Sequence, residues 1–249
     1  MKVSIITVVY NRHATILDAI KSVQSQSYQN IEHIIQDGGS TDGTLAVIKN
    51  NANENTKLES VPDGGIYDAI NKAVKRSTGT IIGLMHSDDL FASPTAVEQI
   101  VSAFSGSQID GTYSDLQYVS SQNVNKVIRY WRAGSFDKSN LSRGWMPPHP
   151  TLYLNAEIFD LYGLYDTKYD ISADYDAMLR WIKDGDLRLQ YIPEILVKMR
   201  VGGDSNKSLK QIIKKSREDY NIIKSNNLGG FWTLALKNLT KIRQFFLIL

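Results

Sequence analysis

Residues 31–44 read IEHIIQDGGSTDGT, and they pass from a predicted strand through a polar turn into a predicted helix. The segment 31–36 predicts a strand, and glycine, serine and aspartate fill the turn that follows, as they do in many turns. Ser40 or Thr41 can cap the next helix, which we expect to end near Asn51. This strand–turn–helix unit is the repeating element of an α/β protein.

The same alternation fills residues 1–105. Strands are predicted at Val3–Val9, 58–61 and 80–85, and helices at 16–23, at Ile66–Arg76 and from Pro94 to about Phe104. The apolar face of the helix at Ile66–Arg76 consists of Ile66, Ala69, Ile70 and Ala73. Such alternation predicts a mostly parallel, Rossmann-like central sheet flanked by helices, with right-handed crossovers. Ligands bind such sheets beyond the carboxyl ends of the strands.

The second half of the chain has a different pattern. Gly111–Val119 and residues 124–131 predict a hairpin, and GWMPPHP at residues 144–150 predicts a rigid loop. The remaining predicted elements are helices at 155–161, 174–183, 208–224 and 232–249 and strands near 187–191 and 196–200. We therefore expect one α/β domain over residues 1–205 and a C-terminal helical extension over residues 206–249.

The composition excludes several kinds of site. The 249-residue chain is 42% hydrophobic and contains no cysteine, so it can form a core but no disulfide, thiolate metal site or cysteine nucleophile. The apolar run at Val3–Val9 is too short for a secretory signal. No stretch reaches the ~18 apolar residues of a spanning helix. We expect a cytoplasmic protein.

Charge is distributed unevenly along the chain. Residues 198–249 contain 11 Lys and Arg against 3 Asp and Glu, a net charge of +8. Residues 1–197 contain 17 against 23, a net charge of −6. A basic C-terminal segment on an acidic body indicates contact with an anionic surface, and charge alone allows nucleic acid or anionic lipid.

Carboxylates follow the predicted strands at their carboxyl ends. Asp37 ends the second strand, where it can accept hydrogen bonds from a base or ribose or belong to a capped turn. Asp63 follows the third strand, and Asp88 and Asp89 follow the fourth. An adjacent carboxylate pair is costly to desolvate unless a cation offsets the repulsion, and Mg²⁺ or Mn²⁺ suits such ligands together with substrate phosphates. The alternative for this pair is a solvated turn.

Two further polar residues each allow two interpretations. Asp174 stands at the expected start of a helix, where it can be an N-cap worth about 1 kcal/mol. It can instead be a general base that faces a cleft. His149 is held rigidly by the neighbouring prolines Pro148 and Pro150. It can bind phosphate or metal, or it can simply pack.

Taken together, these segments resemble the inverting glycosyltransferases of family 2, which have the GT-A fold. DGGSTDGT at residues 37–44 resembles the family's Asp-Gly-Ser-x-Asp-Gly-Thr signature, and DGGIYDAINK at residues 63–72 resembles the segment before its metal motif. Ser87-Asp88-Asp89 stands in the place of the Asp-x-Asp motif. PHPT at 148–151 and ADYD at 173–176 resemble a subgroup that builds bacterial surface polysaccharides, as does the pattern Gly-Gly-x-Ser that ends at residue 205. The resemblance spans residues 1–205 and is specific as a set.

The resemblance implies a reaction and a role for each residue. One sugar would pass from a nucleotide-diphosphate sugar, with UDP expected, to a hydroxyl of a glycan or polyprenyl-diphosphate-linked acceptor, with inversion. Residues 1–105 would bind the nucleotide and residues 106–205 the acceptor. The expected donor-binding residues are Thr7, Tyr10, Asp37, Asp63, Lys72, Asp88 and His149. Asp89, with Asp88, would hold Mg²⁺ or Mn²⁺, and Asp174 would deprotonate the acceptor.

The sequence departs from the family pattern at three positions. His86 replaces the usual first aspartate of the metal motif, and Ala173 replaces the glutamate of the common Glu-Asp pair before the base. Arg180-Trp181 resembles the end of the Gln-x-x-Arg-Trp motif of processive synthases, but Ala177 replaces the glutamine. The last departure and the lack of predicted spanning helices favour transfer of a single sugar. The first two keep a non-catalytic carbohydrate-binding or scaffold protein as an alternative.

The C-terminal helical extension predicts basic amphipathic helices. One helical row contains Trp232, Leu236, Leu239, Arg243 and Phe246, while Lys237 and Lys241 lie elsewhere. Such a helix can lie in a bilayer interface or pack on the domain. Because the basic charge favours the bilayer, we expect a peripheral protein on the inner face of the cell membrane and no nucleic-acid partner.

Three other enzyme classes fit the sequence less well. A nicotinamide oxidoreductase needs Gly-x-Gly-x-x-Gly after the first strand, and a sugar nucleotidyltransferase needs a glycine-rich loop with Lys or Arg there. Residues 10–14 read YNRHA instead. Two-carboxylate glycosidases use similar acid and base groups but need neither a nucleotide site nor a metal.

Overall fold

A nine-stranded sheet forms the centre of the protein. The computed structural model describes residues 1–106, 108–202 and 209–243, and all nine strands lie within these ranges. The strands are β1 (Val3–Val9), β2 (Ile31–Asp37), β3 (Thr56–Ser60), β4 (Ile81–Leu84), β5 (Leu90–Phe91), β6 (Gly111–Val119), β7 (Val127–Trp131), β8 (Tyr153–Asn155) and β9 (Leu189–Arg200). Their order is β3-β2-β1-β4-β8-β6-β9-β5, and β7 pairs with β6.

Eight α-helices accompany this sheet in the described residues. They are α1 (Ile16–Gln24), α2 (Thr44–Asn51), α3 (Ile66–Arg76), α4 (Ala96–Gly106), α5 (Glu157–Tyr162), α6 (Ala173–Leu179), α7 (Leu209–Ser225) and α8 (Phe231–Arg243). Helices α1, α2 and α3 connect the first four parallel strands of the sheet. Strands β3, β2, β1 and β4 are mutually parallel, and β6 is parallel to β9. The short strands β5, β7 and β8 pair antiparallel. The predicted α/β class, with a mostly parallel central sheet flanked by helices, is confirmed.

The core explains why the first strand lies in the middle of the sheet. All seven residues of β1 are buried, as expected for a strand covered on both faces. Successive side chains of a strand point to opposite faces, and Ile5 and Ile6 accordingly belong to two different apolar clusters. Helix α3 contributes Tyr67 and Ile70 to the Ile6 cluster. Ile66, predicted on the buried face of α3, is 47% exposed because it lies at the very start of the helix.

Several predicted boundaries in the second half are wrong. The strands expected near 187–191 and 196–200 are one strand, β9, whose pairing with β6 shifts register near Asp115. The helix expected at 174–183 is α6, followed by a π-helical turn at Arg180–Asp184. The helix expected at 155–161 begins later, because β8 occupies residues up to Asn155.

The C-terminal helical extension packs on the domain over its described residues. Helix α7 contacts α6, and α8 contacts both α7 and the 3₁₀ turn at Lys138–Arg143. Thr233 and Lys237 of α8 are buried in this contact, which agrees with the packing interpretation of the extension. Residues 203–208 and 244–249, with the Gly-Gly-x-Ser pattern and Phe246, lie outside the described ranges. No helix in the described ranges is long and apolar enough to cross a bilayer.

Candidate functional site

The polar residues that follow β1 to β4 meet at one edge of the sheet. These four strands are parallel, so Tyr10, Asp37, Asp63 and Asp88 stand beyond their carboxyl ends as predicted. Tyr10 is 58% exposed. Asn11 beside it has a φ of 52°, and its side-chain oxygen accepts the backbone N–H of Thr41 at 2.8 Å. The backbone beside Tyr10 is therefore fixed next to the loop after β2, and the exposed Tyr10 ring offers a face on which a base can stack.

Asp37 shapes the loop after β2. It is fully buried, and its carboxylate accepts hydrogen bonds from the backbone N–H groups of Gly39 and Ser40 and from the hydroxyl groups of Ser40 and Ser60. These contacts involve both carboxylate oxygens and fix the Asp37 side chain at the end of β2. A carboxylate oxygen can accept more than one hydrogen bond, so the contact with base or ribose that the resemblance implies for Asp37 stays a prediction.

Helix α2 starts later than predicted. Its N-cap is Gly43, not Ser40 or Thr41. The Asp42 carboxylate accepts the Thr44 N–H at 3.0 Å, while the Ser40 hydroxyl accepts the Asn11 N–H at 2.8 Å. Ser40 thus connects the loop after β2 to the loop after β1.

Asp63 lies directly against the loop after β2. A Cβ atom placed on Gly38 would lie 2.5 Å from Asp63 Oδ2, so a larger residue at that position would displace the Asp63 carboxylate. The other oxygen, Oδ1, accepts the Gly65 N–H at 2.9 Å. Lys72 pairs with Asp68 at 2.9 Å and donates to the Pro62 carbonyl at 3.2 Å. Lys72 therefore supports the segment that presents Asp63.

Thr7 is not at the surface. Its side chain is fully buried within β1, where the hydroxyl donates to the Met85 carbonyl at 2.8 Å and lies 2.9 Å from His33 Nε2. The expected contact between the Thr7 side chain and a nucleotide is inconsistent with this position, because the side chain is fully buried.

The two adjacent aspartates after β4 have different environments. Asp89 is 1% exposed, and Oδ1 accepts the Arg200 N–H at 3.0 Å, while Oδ2 is buried without a hydrogen bond. Burial, with the nearby Asp88 charge, raises the pKa of Asp89 well above its usual range. Asp88 is only partly buried, and Arg200 Nη1 donates to its backbone carbonyl at 2.6 Å. The expectation that Asp89 is the foremost metal ligand does not fit this geometry, whereas Asp88 is accessible.

The residues around Asp88 fit a divalent ion that is held jointly with a ligand. Asp88 offers a hard carboxylate that makes no side-chain hydrogen bond among the described residues. No group of three or more metal-ligating side chains exists in the described part of the chain. Mg²⁺ and Mn²⁺ are commonly held by one or two carboxylates plus substrate phosphates, which matches this arrangement.

Asp174 lies in the first turn of α6. The N-cap of that helix is Ser172, so the prediction of Asp174 as N-cap is wrong. Asp174 Oδ1 accepts the Tyr175 N–H at 2.8 Å and lies 3.3 Å from the Tyr67 hydroxyl. Oδ2 has no hydrogen bond among the described residues, so it can accept a proton. Burial, with the Asp174 charge, raises the pKa of Tyr67 well above its usual range, so Tyr67 stays protonated.

His86 connects the Asp88 loop with the start of α6. Its ring centroid lies 6.0 Å from that of His149, and the charges of Asp88 and Asp174 partly oppose the lowering of its pKa by burial. His149 is 8% exposed and bonds through Nε2 to the Tyr165 hydroxyl at 2.9 Å. Burial lowers the pKa of both histidines, that of His149 to about 4, so both rings are neutral at pH 7. His149 thus lies beside His86, and its contacts are those of a packed residue; its role in donor binding stays a prediction.

The chain matches the family described as Glycosyl transferase family 2 over residues 4–159. An uncharacterised glycosyltransferase of Mycobacterium tuberculosis is 32% identical over 180 residues, which cover 72% of this chain and 68% of that protein. The chain belongs to glycosyltransferase family 2. A PGL/p-HBAD biosynthesis glycosyltransferase of Mycobacterium bovis is 28% identical over 208 residues, 82% of this chain and 78% of its own. The chondroitin synthase of Pasteurella multocida is 27% identical to this glycosyltransferase. The aligned region covers 89% of this chain and 23% of that synthase.

Solved structures show the same fold. The structure of S. aureus TarS residues 1–349 in complex with UDP matches with a TM-score of 0.66 at 17% identity. The match covers 96% of this chain and 69% of the TarS chain. The mannosyltransferase PcManGT of Pyrobaculum calidifontis, in complex with GDP-Man and Mn²⁺, matches with a TM-score of 0.66 at 14% identity. The match covers 97% of this chain and 74% of the PcManGT chain. The protein is therefore an enzyme of the GT-A fold, and the predicted family is confirmed.

Sequence reasoning did not identify four residues that build the site. The motif DGGIYDAINK at residues 63–72 contains Tyr67 but predicts no role for it, and no motif contains Tyr165 or Arg200. His86 was noted as a departure, but its position between two carboxylates was not foreseen. The contacts of Tyr67 with Asp174 and of Arg200 with Asp88 join segments separated by more than a hundred residues. Local patterns carry no signal for such contacts.

Proposed function

We propose that this enzyme transfers a single sugar from a UDP-sugar to a hydroxyl of a glycan or lipid-linked glycan, with inversion at the anomeric carbon. The observation that carries the proposal is a chain of contacts between the Asp88 loop and Asp174. The ring of His86, two residues before Asp88, lies 6.0 Å from that of His149, and His149 Nε2 lies 2.9 Å from the Tyr165 hydroxyl. Tyr165 stacks on Tyr67, whose hydroxyl oxygen lies 3.3 Å from Asp174 Oδ1. The carboxylate suited to a metal-diphosphate and the carboxylate suited to a base therefore share one site. In-line displacement requires a leaving group and a base on opposite sides of the sugar.

The proposed reaction is a single displacement. The acceptor hydroxyl gives its proton to Oδ2 of Asp174 while its oxygen forms a bond to the anomeric carbon. The bond between that carbon and the diphosphate oxygen breaks, and UDP leaves with the electron pair. The Tyr175 N–H holds Oδ1 at 2.8 Å, so the carboxylate keeps its orientation during proton transfer.

Asp88 is the residue that would hold Mg²⁺ or Mn²⁺, with donor phosphate oxygens as further ligands. The ion, when bound, stabilises the negative charge that develops on the leaving diphosphate. GT-A enzymes are typically dependent on a divalent metal, and PcManGT was solved with Mn²⁺. We assign Asp89 the role of anchoring the loop to β9 through the Arg200 N–H.

Residues 1–105 would bind the nucleotide. Tyr10 offers an exposed ring for the base, and the loops built by Asp37 and Asp63 flank it. TarS was solved with UDP and PcManGT with GDP-Man, so the fold accepts both nucleotides. The chain's resemblance to polysaccharide enzymes favours UDP. Residues 106–205, which carry His149 and Asp174, would bind the acceptor.

We also place the enzyme on an anionic membrane surface, on its cytoplasmic face, through α8. Phe231, Trp232, Leu236 and Leu239 of this helix are 69%, 78%, 42% and 56% exposed. The opposite face, with Thr233 and Lys237, packs on the domain. Exposed aromatic and aliphatic side chains on a helix in a basic segment are the features of an interfacial helix. A polyprenyl-linked acceptor would reside on the same surface.

Turnover of donors tests the proposed function. The enzyme is incubated with Mn²⁺, a short glycan or lipid-linked acceptor, and in parallel UDP-glucose, UDP-galactose, UDP-N-acetylglucosamine and GDP-mannose. We expect release of nucleoside diphosphate from one UDP-sugar, and a product whose anomeric proton shows inverted configuration by NMR. A product with retained configuration would contradict the mechanism. A folded enzyme that binds UDP but releases none from any donor would favour the non-catalytic alternative.

A further inference from the structure

Glu218 of α7 accepts hydrogen bonds from the segment that leads into α6. Its carboxylate lies 3.3, 3.0 and 2.9 Å from the backbone nitrogens of Asp170, Ile171 and Ser172. N–H groups at the start of a helix have no partner within the helix. Ser172, the N-cap of α6, makes no side-chain cap, and Glu218 supplies an acceptor to its N–H and to the two N–H groups before it.

The same segment is held from its other side by α3. The Tyr67 hydroxyl donates to the Ile171 carbonyl at 2.6 Å. Ile171 thus has its N–H bound to Glu218 and its carbonyl bound to Tyr67. Asp174 follows three residues later in the chain, so the position of its carboxylate depends on how firmly this segment is fixed.

A buried ion pair fixes α7 itself. Lys237 of α8 and Asp219 of α7 are 2.8 Å apart, and each side chain is 3% exposed. Lys237 Nζ also lies 3.2 Å from the centroid of the Tyr175 ring, directly after Asp174 in the chain. Helix α8 therefore holds both α7 and the first turn of α6, in a buried arrangement where the loss of Lys237 leaves the Asp219 charge without its cation.

We propose that the C-terminal helical extension is part of the catalytic apparatus, and that Glu218 is a positioning residue for Asp174. Glu218 acts through the backbone of residues 170–172 and does not contact the substrate. The proposal rests on the proposed role of Asp174 as base. Misplacement of a reacting group by about 1 Å can reduce a rate by roughly 100-fold, so loss of this contact acts on catalysis more than on binding.

The test compares Glu218→Ala with Glu218→Gln in the full chain. Glutamine keeps an oxygen that accepts N–H groups, whereas alanine keeps none. Glu157→Ala, at an exposed glutamate of α5, is the matched control. For each protein we would measure kcat and KM with the UDP-sugar found to be the donor, calorimetric affinity for UDP with Mn²⁺, and hydrogen exchange of peptides spanning residues 170–176.

We expect Glu218→Ala to lower kcat about tenfold or more and to speed hydrogen exchange of residues 170–176. KM for the donor and UDP affinity should stay within about twofold of wild type. Glu218→Gln should recover most of the lost kcat, and Glu157→Ala should match wild type. Equal losses in kcat and UDP affinity, or no rescue by glutamine, would overturn the proposal.

Hydrogen exchange separates this proposal from the proposed function. If wild type turns over no donor, the proposed function fails and the positioning of a catalytic base fails with it. If wild type is active but exchange of residues 170–176 is the same in Glu218→Ala and wild type, the positioning role fails alone.

Discussion

The hydroxyl oxygen of Tyr67 lies 3.3 Å from Oδ1 of Asp174 and 2.6 Å from the carbonyl oxygen of Ile171. A hydroxyl has a single proton, and the shorter contact with Ile171 takes it. Oδ1 of Asp174 also accepts the Tyr175 N–H, while Oδ2 has no partner among the described residues. One oxygen of the carboxylate is thus fixed and the other is available, as a general base requires.

Asp174→Asn should abolish transfer and leave nucleotide binding near normal. Asparagine keeps the shape of the side chain but cannot take a proton, and general-base catalysis contributes roughly 100- to 10,000-fold. The measurement is kcat together with UDP affinity by calorimetry. Asp160→Asn, at an exposed position on α5, is the control. Loss of UDP affinity along with activity would contradict the assignment of Asp174 as the base.

Asp88→Asn and Asp89→Asn should differ in their effect on metal-dependent binding. Asp88 is accessible, so its replacement should weaken UDP binding in Mn²⁺ about tenfold or more while leaving metal-free binding unchanged. Asparagine at position 89 keeps the oxygen that accepts the Arg200 N–H and removes a charge that burial disfavours, so Asp89→Asn should leave the unfolding temperature near that of wild type and alter UDP affinity less. Calorimetry with and without Mn²⁺ separates the two, and thermal unfolding checks the fold of both. A larger loss of metal-dependent UDP affinity in Asp89→Asn than in Asp88→Asn would identify Asp89 as the metal ligand.

The exposed row of α8 should bind anionic lipid. Trp232→Ser combined with Leu239→Ser should release the enzyme from vesicles that contain phosphatidylglycerol, because both side chains face solvent in the free protein. Leu161→Ser, at a leucine of α5 that is 67% exposed, is the control for a general loss of apolar surface. Co-sedimentation that is unchanged in the double variant would refute the membrane role. Deletion of residues 231–249 is unsuitable, because it also removes the buried Lys237.

Lys237→Ala should destabilise the fold strongly. It leaves Asp219 buried without its cation, and breaking a buried pair in this way typically costs about 3–5 kcal/mol. The double variant Asp219→Asn with Lys237→Met should lose less free energy of unfolding than Lys237→Ala alone. Lys138→Ala breaks the exposed pair with Asp186 and should cost under about 1 kcal/mol. Urea unfolding measures all three; a Lys237→Ala cost equal to that of Lys138→Ala would contradict the buried pair.

His33 should make the fold sensitive to mild acid. Burial lowers the pKa of His33 from 6.5 to about 4 in the folded protein, and its Nδ1 atom is buried without a hydrogen bond. The unfolded chain therefore binds the proton more readily, so stability is full above pH 6.5 and is lost as the pH falls towards 4. Between pH 7 and pH 5, protonation of His33 in the unfolded chain should lower the free energy of unfolding by about 2 kcal/mol. Urea unfolding at both pH values checks this, and His33→Gln should show a smaller difference; an equal difference would contradict it.

Local sequence patterns were sufficient where one element decides its own structure. The bounds of α3 were predicted as observed because its apolar residues recur with helical spacing. The positions of Asp63 and Asp88 followed from the parallel strands that precede them. Such predictions need no knowledge of distant contacts.

Predictions failed where a distant partner decides the environment. Asp88 and Asp89 are adjacent and chemically identical, and they differ because Arg200, more than a hundred residues away, binds one through its N–H. Thr7 was expected at the nucleotide, but Met85 and His33 bury its hydroxyl within the sheet. The two ends of β9 were predicted as separate strands, and their continuity depends on the pairing with β6.

Calorimetric titration with UDP, GDP, dTDP and CDP, each with and without Mn²⁺, tests the central claim most directly. If the site at the carboxyl ends of β1 to β4 binds a metal-nucleotide through Asp88, UDP should bind, and removal of Mn²⁺ should weaken its binding about tenfold or more. A folded enzyme that binds none of the four nucleotides, with or without Mn²⁺, would contradict the account.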